Sequence, residues 1–367
     1  MKGSVRIRNK RYSYYFKYKD EYGKWKTKEK GGFKTKKGAE SAMRKAITDF
    51  EESNFIEKSD LTLNESIEYW CEHVGNTKLK YSTLKSYKVI WKNHIEGSIG
   101  KVRESSLTPN LLQLHFTEKS NEVPGSIGTI RNVISNSLNL AVKHQRIKQN
   151  PMKLIENVSL KTQKTLPLTR EEIEEIDIAL KQTNEYHRTA FTVALHTGMR
   201  RGEVLGLTWD NVDFENNLIT VNKQLQKQNG KLILVAPKTK SSNRVFQMTT
   251  VLYEYLLKLH QGQLDRKNFY QENYYQRNFV CCHLDSRPIP PDTLCSKIRR
   301  TAKAIGIDFH FHQLRHTHAT MLMEADINLK VIQERLGHAK IDMLINTYAH
   351  VTKKLEDQAI EKFNSFF

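Results

Sequence analysis

The chain of 367 residues is long enough for two or three domains that each bury a hydrophobic core. Its hydrophobic content of 38% and aromatic content of 9% exclude wholesale disorder, and no apolar run approaches the roughly 20 residues that a membrane span needs. The formal net charge of +19 favours a polyanionic partner, usually nucleic acid and sometimes an anionic membrane surface. A start without an apolar signal core predicts a soluble, cytoplasmic protein.

The N-terminal segment, residues 1–56, is strongly basic. Its first 37 residues contain fourteen lysines and arginines and three acidic residues, so they carry a net charge of +11. Strands are expected over residues 5–7, 12–18 and 25–27, with turns at Tyr22-Gly23 and Gly31-Gly32 and a helix over residues 37–53.

Basic and aromatic residues on three short strands backed by a helix suit a β-sheet that enters the major groove of DNA. A solvated basic face over a tyrosine core is the alternative, and we favour DNA binding. The candidate DNA contacts are Arg6, Arg8, Arg11, Tyr14, Lys17, Lys24, Lys26 and Lys28.

Residues 60–158 follow a short polar linker and have the pattern of four helices. Their expected starts are the capping box Thr62-Leu-Asn-Glu65, a capping serine at Ser82, Thr108-Pro109 with proline at the first helical position, and Ser126. Asn150-Pro151 is expected to end the domain. Taken alone, this pattern predicts a helical bundle and no particular function.

Residues 165–367 are predicted to be mainly helical with one strand-rich insert. Thr169-Arg-Glu-Glu172 is another capping box. Strands are expected over residues 218–221, 232–235 and 244–247, with Asn229-Gly230 as a hairpin turn. The predicted fold class is therefore multidomain α+β: a small three-stranded β-sheet plus helix, an all-helical domain, and a mainly α domain with a small β-sheet or hairpin.

The stretch from His312 to Tyr348 carries the residues that point to chemistry. In His312-Gln-Leu-Arg315 the imidazole and guanidinium are three positions apart, so on a helix they can meet one small anion together. Gly337 is expected to end a helix in the left-handed conformation just before His338, and a short helix is expected to carry Tyr348. Cations, proton-transfer groups and a phenol nucleophile can together open a phosphodiester without water or metal.

This stretch resembles the C-terminal motif of the tyrosine recombinases, the lambda-integrase-like family of phage and integrative-conjugative-element integrases. Upstream, His196-Thr-Gly-Met-Arg200-Arg-Gly-Glu203 is similar to the family's first arginine motif, and Pro237-Lys238-Thr-Lys-Ser-Ser-Asn-Arg244 is similar to its lysine-bearing β-hairpin. The three motifs stand in the family's order and spacing. The resemblance implies a site-specific recombinase that integrates and excises a prophage or conjugative element by DNA strand cleavage and rejoining.

The resemblance assigns Arg200 and Arg315 to the phosphate. A phosphodiester under attack gains charge, and preorganised guanidinium groups that fork onto two oxygens lower that barrier. Glu203 lies three residues after Arg200 and would orient it, as the acid there does in similar enzymes. Arg201 is expected to face elsewhere on a helix, so it would serve as a control.

The resemblance makes Tyr348 the nucleophile, which would form a 3′-phosphotyrosyl ester. A phenol with a pKa of about 10 is a poor nucleophile at neutral pH, and His312 is the candidate base. The leaving 5′-oxygen would take a proton from Lys238, with Lys240 as the rival, and His338 would hydrogen-bond a non-bridging oxygen. Because the ester stores the bond energy, a 5′-hydroxyl can reverse the reaction, and no cofactor, metal or ATP is expected.

The resemblance also implies domain roles and partners. Residues 1–56 would be an arm-binding domain, residues 60–158 a SAM-like core-binding domain, and residues 165–367 the catalytic domain. The expected partners are double-stranded DNA with core-type and arm-type attachment sites and three further copies of the chain in a homotetramer, in a bacterial cytoplasm near the nucleoid and away from membranes. Similar enzymes often use a host DNA-bending protein and an excisionase, which no residue here shows. The tail, residues 351–367, is expected to pack either on its own domain or on a neighbouring protomer.

Three other functions compete with this interpretation. A type IB topoisomerase uses a similar phosphotyrosine step but relaxes supercoils without synapsing two sites. A DNA-binding regulator that lost catalysis is disfavoured, because all six matched positions have suitable chemistry. A metallohydrolase would rest on the zinc-like spacing of His312 and His316, but Gln313 stands where a glutamate is needed and Arg315 would place a charge beside the ion.

The four cysteines form no C-x-x-C pair and are expected to be reduced.

Overall fold

The computed structural model describes residues 2–8, 10–19, 24–52, 60–156, 166–237, 242–275, 278–337 and 364. The chain forms two compact units, residues 1–163 and residues 164–367. In these described ranges no helix is both long enough and apolar enough to cross a lipid bilayer.

The N-terminal part of the first unit is a three-stranded antiparallel sheet backed by a helix, as predicted. The elements are β1 (Gly3–Arg8), β2 (Arg11–Lys19), β3 (Trp25–Phe33) and α1 (Lys36–Glu52), with sheet order β1-β2-β3. Tyr14 and Phe16 lie two positions apart on β2 and therefore on one face of the sheet. They are buried together with Ala39 of α1, so this face forms a small core.

The turn predicted at Gly31-Gly32 is wrong, because both glycines lie inside β3. Tyr12 pairs with Phe33 and Tyr14 pairs with Lys30, so β3 holds one residue more than β2 over this interval. Such an insertion is a β-bulge. Gly32 has a φ of +99°, which strongly favours glycine. A Cβ on Gly31 would lie 3.0 Å from the Ser13 hydroxyl oxygen, so the Ser13 side chain would have to shift.

The remainder of the first unit is helical, also as predicted. Its helices are α2 (Leu63–Trp70), α3 (Asn76–Lys78), α4 (Tyr81–His94), α5 (Pro109–Glu122) and α6 (Ile127–Lys143), with a π-helical turn at Cys71–Gly75. Their core includes Leu63, Ile67, Leu112, Phe116, Ile130, Ile134 and Leu138. Most of the apolar residues that predicted these helices therefore face this common core, whereas Tyr69 and Leu114 are exposed.

The predicted helix starts are confirmed with one exception. Thr62 forms both halves of a capping box with Glu65, and Thr108 caps α5 with Pro109 at its first position. Ser82 does not cap α4, which begins one residue earlier, at Tyr81. Lys80 is its N-cap, and the Lys80 carbonyl accepts the Leu84 N–H at 3.1 Å.

A buried ion pair joins distant parts of the helical core. Arg146 Nε lies 2.9 Å from Oε1 of the buried Glu104, without hydrogen-bond alignment, and Nη2 donates to Oε2 at 3.3 Å and to the Ser66 hydroxyl at 3.0 Å. We expect Arg146→Met to destabilise this core by about 3–5 kcal/mol, because it leaves a buried carboxylate without its partner. Hydrogen exchange of peptides from α2 and α6 would measure the loss.

Arg103→Met is the matched control, since Arg103 forms an ion pair with Asp60 in which both side chains are exposed. We expect it to change hydrogen exchange little, because exposed ion pairs are screened by water. Equal effects of the two substitutions would contradict a structural role for the Arg146–Glu104 pair.

The second unit is mainly helical with two small sheets. It contains α7 (Arg170–Lys181), α8 (Glu185–Thr197), α9 (Arg201–Leu205), β4 (Val212–Asp213), β5 (Leu218–Val221), β6 (Gln224–Gln228), β7 (Lys231–Val235), β8 (Arg244–Gln247), α10 (Thr250–Tyr270), α11 (Pro291–Ala304), α12 (Gln313–Glu324) and α13 (Leu329–Leu336). One antiparallel sheet has the order β4-β5-β8, and β6 and β7 form a separate hairpin.

The predicted strands and hairpin turn of this unit are confirmed. Asn229 and Gly230 connect β6 to β7 with φ values of 47° and 80°, which are the positive values that a tight hairpin turn needs. The Thr169–Glu172 capping box at the start of α7 is present as predicted. Strand β6 was not predicted, because its sequence, Gln224-Leu-Gln-Lys-Gln228, carries few apolar residues.

Helix α8 is the centre of the second unit, and most of its residues are buried. Helices α7 and α12 pack against it, and α13 packs against α12. This packing brings the end of α8, the start of α12 and the end of α13 to one place. These are the three ends that carry or adjoin the motifs singled out in the sequence.

Candidate active site

The loop between α8 and α9 places Arg200 at the site. Gly198 ends α8 with a φ of +63°, and a Cβ there would lie 2.6 Å from Leu336 and 2.8 Å from His318. Only glycine fits both the left-handed backbone and this close approach. The chain then turns through Met199 so that Arg200 immediately precedes α9.

Arg200 is held by Glu203 but remains open to solvent. Its side chain is 38% exposed, and Nη1 lies 2.9 Å from Glu203 Oε1. The backbone N–H of Arg200 donates to Oε2 of the same carboxylate at 2.9 Å, and Nη2 donates to the Gly337 carbonyl at 3.3 Å. Glu203 therefore lies where the sequence expected an orienting acid, and its role stays a prediction.

Arg315 lies in the first turn of α12 and is almost fully buried, with 3% of its surface exposed. Its guanidinium donates to the Gly198 carbonyl at 2.8 Å and to the Leu336 carbonyl at 2.7 Å. Arg200 and Arg315 thus donate to the carbonyls of consecutive residues, Gly337 and Leu336. The two predicted phosphate ligands are brought together although 115 positions separate them in the chain.

His312 is the residue immediately before α12, one turn from Arg315. Burial first, and then the charges of His316, Arg315 and Arg200, together lower the pKa of His312 to about 4. His312 as a residue is exposed, and its contact with water limits the shift. The imidazole is therefore neutral at pH 7 and able to accept a proton.

A cavity of about 360 Å³ opens beside these groups. It is lined by Met199, Arg200, Arg201, Gly202, Cys295, Phe311 and His312. The expectation that Arg201 faces elsewhere is wrong, because α9 is short and begins at this cavity. Arg201 is 44% exposed and its Nη1 lies 3.2 Å from Asp292, so it is unsuitable as an inert control.

A second arginine, Arg244 on β8, shares Glu203 with Arg200. Arg244 Nη2 lies 2.9 Å from Glu203 Oε2, and the two side chains are 5% and 2% exposed. Burial acts to raise the pKa of Glu203, but the charge and hydrogen bonds of Arg244 and then Arg200 outweigh it and lower the pKa below its ordinary value. The carboxylate is therefore ionised between two cations at neutral pH.

Arg244 was not among the functional residues predicted from the sequence. The strand pattern nevertheless indicates that Arg244 is buried. Arg244 and the buried Phe246 are two positions apart on one strand and should share its inner face. An arginine on an inner face needs an acidic partner. Which acid it meets was not readable from the sequence.

The end of α13 is surrounded by arginines. Arg244 Nε donates to the Arg335 carbonyl at 2.7 Å, next to the Leu336 and Gly337 carbonyls already described. The last carbonyls of a helix lack partners within the helix and carry its negative dipole end. Gly337 ends α13 with a φ of +66°, as predicted.

His318 anchors α13 to α8 and α12 in its neutral form. Its Nδ1 lies 2.8 Å from the Leu195 carbonyl, and its Nε2 accepts a hydrogen bond from Arg335 Nε at 3.2 Å. Burial and then the Arg335 charge lower the pKa of His318 to about 3, although the Leu195 hydrogen bond acts in the opposite direction. A proton on Nε2 would break the contact with Arg335.

We expect this histidine to make the protein less stable in acid. The folded state binds its proton only near pH 3 whereas the unfolded chain binds it near pH 6.5, so the free energy of unfolding falls as pH drops through this window. One such group contributes about 1.4 kcal/mol per pH unit. Urea titrations between pH 4 and 7 would give the free energy of unfolding as a function of pH. In His318→Gln the slope of this dependence should fall by the equivalent of about one proton. An unchanged slope would show that His318 does not titrate in this way.

Several predicted site residues lie outside the described residues. They are Lys238, its rival Lys240, His338, Tyr348 and, apart from Asn364, the tail over residues 351–367. His312 and His316 have ring centroids 5.0 Å apart. In the described ranges no third histidine, cysteine, aspartate or glutamate joins them as a metal ligand.

The candidate DNA contacts of the N-terminal sheet lie on two different faces. Arg6, Arg8, Arg11 and Lys17 occupy the face away from α1, where Arg6 Nη2 lies 2.6 Å from Glu29 and its guanidinium lies over Tyr15. Lys26 and Lys28 pair with Tyr18 and Phe16 on the α1 side, at an edge that leaves them exposed, and Lys24 is exposed just before β3.

Tyr14 is the one candidate DNA contact that the structure contradicts. It is 4% exposed and its ring packs against Phe16 and Phe33. The strand alternation places Tyr14 on the same face as Phe16, toward α1. Its aromatic ring therefore belongs to the small core and is not accessible to a DNA groove.

Comparisons with known proteins agree with this arrangement. Residues 4–50 match the Arm DNA-binding domain. The chain is 27% identical to a tyrosine recombinase XerC-like protein of Caldanaerobacter subterraneus subsp. tengcongensis, over 95% of this chain and 94% of that protein. It is 25% identical to the ICEBs1 integrase of Bacillus subtilis, over 78% of each chain.

Solved structures show the same fold at low sequence identity. The Tn1549 transposon integrase superposes with a TM-score of 0.67 at 20% identity, covering 83% of this chain and 100% of that one. A lambda integrase dimer superposes with a TM-score of 0.62 at 20% identity, covering 94% and 93%. Residues 134–354, more than half of the chain, match the Phage integrase family. The chain therefore belongs to the phage integrase family of tyrosine recombinases, enzymes that break and rejoin DNA in the site-specific recombination of mobile elements.

Proposed function

We propose that this integrase cleaves and rejoins DNA through six residues: Arg200, Lys238, His312, Arg315, His338 and Tyr348. The observation that carries the proposal is the meeting of Arg200, Arg315 and His312, from two distant motifs, beside the helix end that leads to His338. Two neighbouring guanidinium groups and a neutral imidazole suit a phosphodiester that gains charge under attack, and Arg200 and His312 line one cavity.

The proposed reaction exchanges one ester for another. The Tyr348 oxygen attacks phosphorus, its proton passes to His312, and a 3′-phosphotyrosyl ester forms as the bond to the 5′-oxygen breaks. Lys238 gives a proton to that 5′-oxygen, and His338 hydrogen-bonds a non-bridging oxygen. A 5′-hydroxyl of another strand then displaces the tyrosine, so the number of ester bonds is conserved.

The proposed domain roles follow the three predicted segments. Residues 1–56 would bind arm-type sites, residues 60–158 core-type sites, and residues 165–367 would carry the chemistry. The sheet-and-helix core, the helical core and the core of the second unit support this division. One lambda integrase structure is a tetramer bound to a Holliday junction, and we propose a homotetramer on synapsed DNA here. A host DNA-bending protein and an excisionase are proposed as accessory partners, acting with the enzyme in a bacterial cytoplasm.

The test distinguishes recombination from its closest rival. Purified full-length protein is incubated with supercoiled plasmids that carry one or two copies of the DNA flanking its own gene. We expect deletion or inversion between two sites and no steady relaxation with one site. Relaxation of one-site plasmids without exchange would favour a topoisomerase, and binding without cleavage on any candidate site would favour a DNA-binding regulator.

A further inference from the structure

Arg244 is a buried arginine whose three side-chain nitrogens all have partners in the described structure. Nη2 donates to Glu203 Oε2 at 2.9 Å, Nε to the Arg335 carbonyl at 2.7 Å and Nη1 to the Ser242 carbonyl at 3.0 Å. It therefore connects β8 to both α9 and the end of α13. A guanidinium fixed at three nitrogens has little freedom to move toward a substrate.

The charge balance around Glu203 shows what Arg244 supplies. Glu203 and Arg200 alone form a neutral pair, whereas Glu203 with Arg200 and Arg244 carries a net charge of +1. The electrostatic potential at a partly buried site changes strongly with each unit of charge, because water screens the charges there less than at the surface. With Arg244 present, the carboxylate can orient Arg200 without cancelling the positive charge that a phosphate would meet.

The hydrogen bonds lead to the same conclusion. Glu203 Oε1 faces Arg200 and Oε2 faces Arg244, so the carboxylate is shared between them. Without Arg244 the buried Oε2 would keep one described partner, the Arg200 backbone N–H. A buried carboxylate in that position would draw the Arg200 guanidinium away from the cavity.

Arg244 also belongs to a series at the end of α13. Arg244, Arg315 and Arg200 donate to the carbonyls of Arg335, Leu336 and Gly337, which are three consecutive residues. The chain continues from Gly337 directly to His338. The same three arginines thus fix the point from which the segment with His338 and Tyr348 begins.

We infer that Arg244 is a positioning residue for strand cleavage: it offsets the charge of Glu203 so that Arg200 presents its positive charge to the scissile phosphate. The inference rests on the proposed role of Arg200. Arg244 itself does not contact the reacting atoms, because its guanidinium is enclosed by Glu203 and backbone carbonyls. Its loss should therefore reduce cleavage through Arg200 and leave DNA binding intact.

The experiment uses full-length protein and a nicked DNA site that traps the covalent adduct. Adduct formation is compared on a normal scissile phosphate and on a neutral methylphosphonate at the same position. We expect Arg244→Met to slow the reaction about 10- to 100-fold on the phosphate, with DNA affinity within about threefold of wild type. On the neutral methylphosphonate the loss should shrink to a few-fold, because less charge must be stabilised.

A second variant separates charge balance from folding. In the double variant Glu203→Gln with Arg244→Met, the site regains a net charge of +1 and no buried carboxylate is left unpaired. We expect it to react faster than Arg244→Met alone on the normal phosphate. Arg188→Met is the matched control, since Arg188 forms a part-buried pair with Asp177 at 2.8 Å on α7 and α8 and should react as wild type.

The outcomes separate this inference from the proposed function. The inference fails if Arg244→Met forms adduct at the wild-type rate, or if its rate falls by the same factor on the phosphate and the methylphosphonate. It also fails if adding Glu203→Gln does not raise the rate of Arg244→Met. Arg244 would then be only structural. If Arg244→Met does not fold, the double variant compared with wild type decides, because both carry a net charge of +1 at this site. A rate of the double variant as low as that of Arg200→Ala would count against the inference. If wild type forms no adduct on any site, the proposed function itself fails.

Discussion

A Tyr348→Phe variant is expected to bind its recombination site as well as wild type and to form no covalent protein–DNA adduct. The substitution removes only the phenolic oxygen, which is the atom proposed to attack phosphorus. Loss of a nucleophile commonly lowers a rate by several orders of magnitude, so we expect a decrease of about 10³-fold or more. The measurement is a denaturation-resistant band on DNA nicked beside the cleavage point, where the short product diffuses away.

The control for this prediction is a tyrosine outside the motif. Tyr275 is partly exposed, follows α10 and is remote in sequence from Tyr348. Tyr275→Phe should give the wild-type amount of adduct. An adduct that persists in Tyr348→Phe would mean that another residue is the nucleophile.

The second large effect is expected for Arg200→Ala, which should lower the rate of adduct formation about 10²- to 10³-fold. Arg200, Arg244 and Arg315 form an arginine cluster at the end of α13, and Arg200 is its most exposed member. Its loss removes a preorganised cation from the cavity. Arg200→Lys should recover little, because an ammonium group cannot fork onto two phosphate oxygens. Single-turnover rates on the nicked substrate would measure both variants.

Arg287→Ala controls for the loss of one positive charge, since Arg287 is exposed and pairs with Asp285 in the same unit. It should keep the wild-type rate. DNA affinity should change little in Arg200→Ala, because one of many cations on a chain of net charge +19 is removed. An Arg200→Ala rate within twofold of wild type would exclude Arg200 as a phosphate ligand.

Features that depend on neighbours in the chain were predictable. The capping boxes at Thr62 and Thr169, the Asn229-Gly230 turn and the helix end at Gly337 each depend on a few adjacent residues. The motifs around Arg200 and Arg315 were recognisable for the same reason, because their spacing is local. Composition alone already indicated a polyanionic partner.

Features that depend on distant residues required the tertiary structure. The bulge that contains Gly31 and Gly32 is defined by the pairing of β3 with β2, and the burial of Tyr14 depends on the helix packed against its face. The position of Arg201 at the cavity depends on the length of α9 and the approach of α11. No local pattern specifies these contacts.

The arginine cluster shows the same division most clearly. The sequence by itself identified Arg200 and Arg315 and placed Glu203 one helical turn from Arg200. Only the folded chain brought Arg244 to Glu203 across 41 positions and to the Arg335 carbonyl across 91. Burial decided these pairings. The Glu203 carboxylate and the last carbonyls of α13 lose contact with water when α8, α12 and α13 pack together. They must then accept hydrogen bonds from whichever donors this packing places beside them.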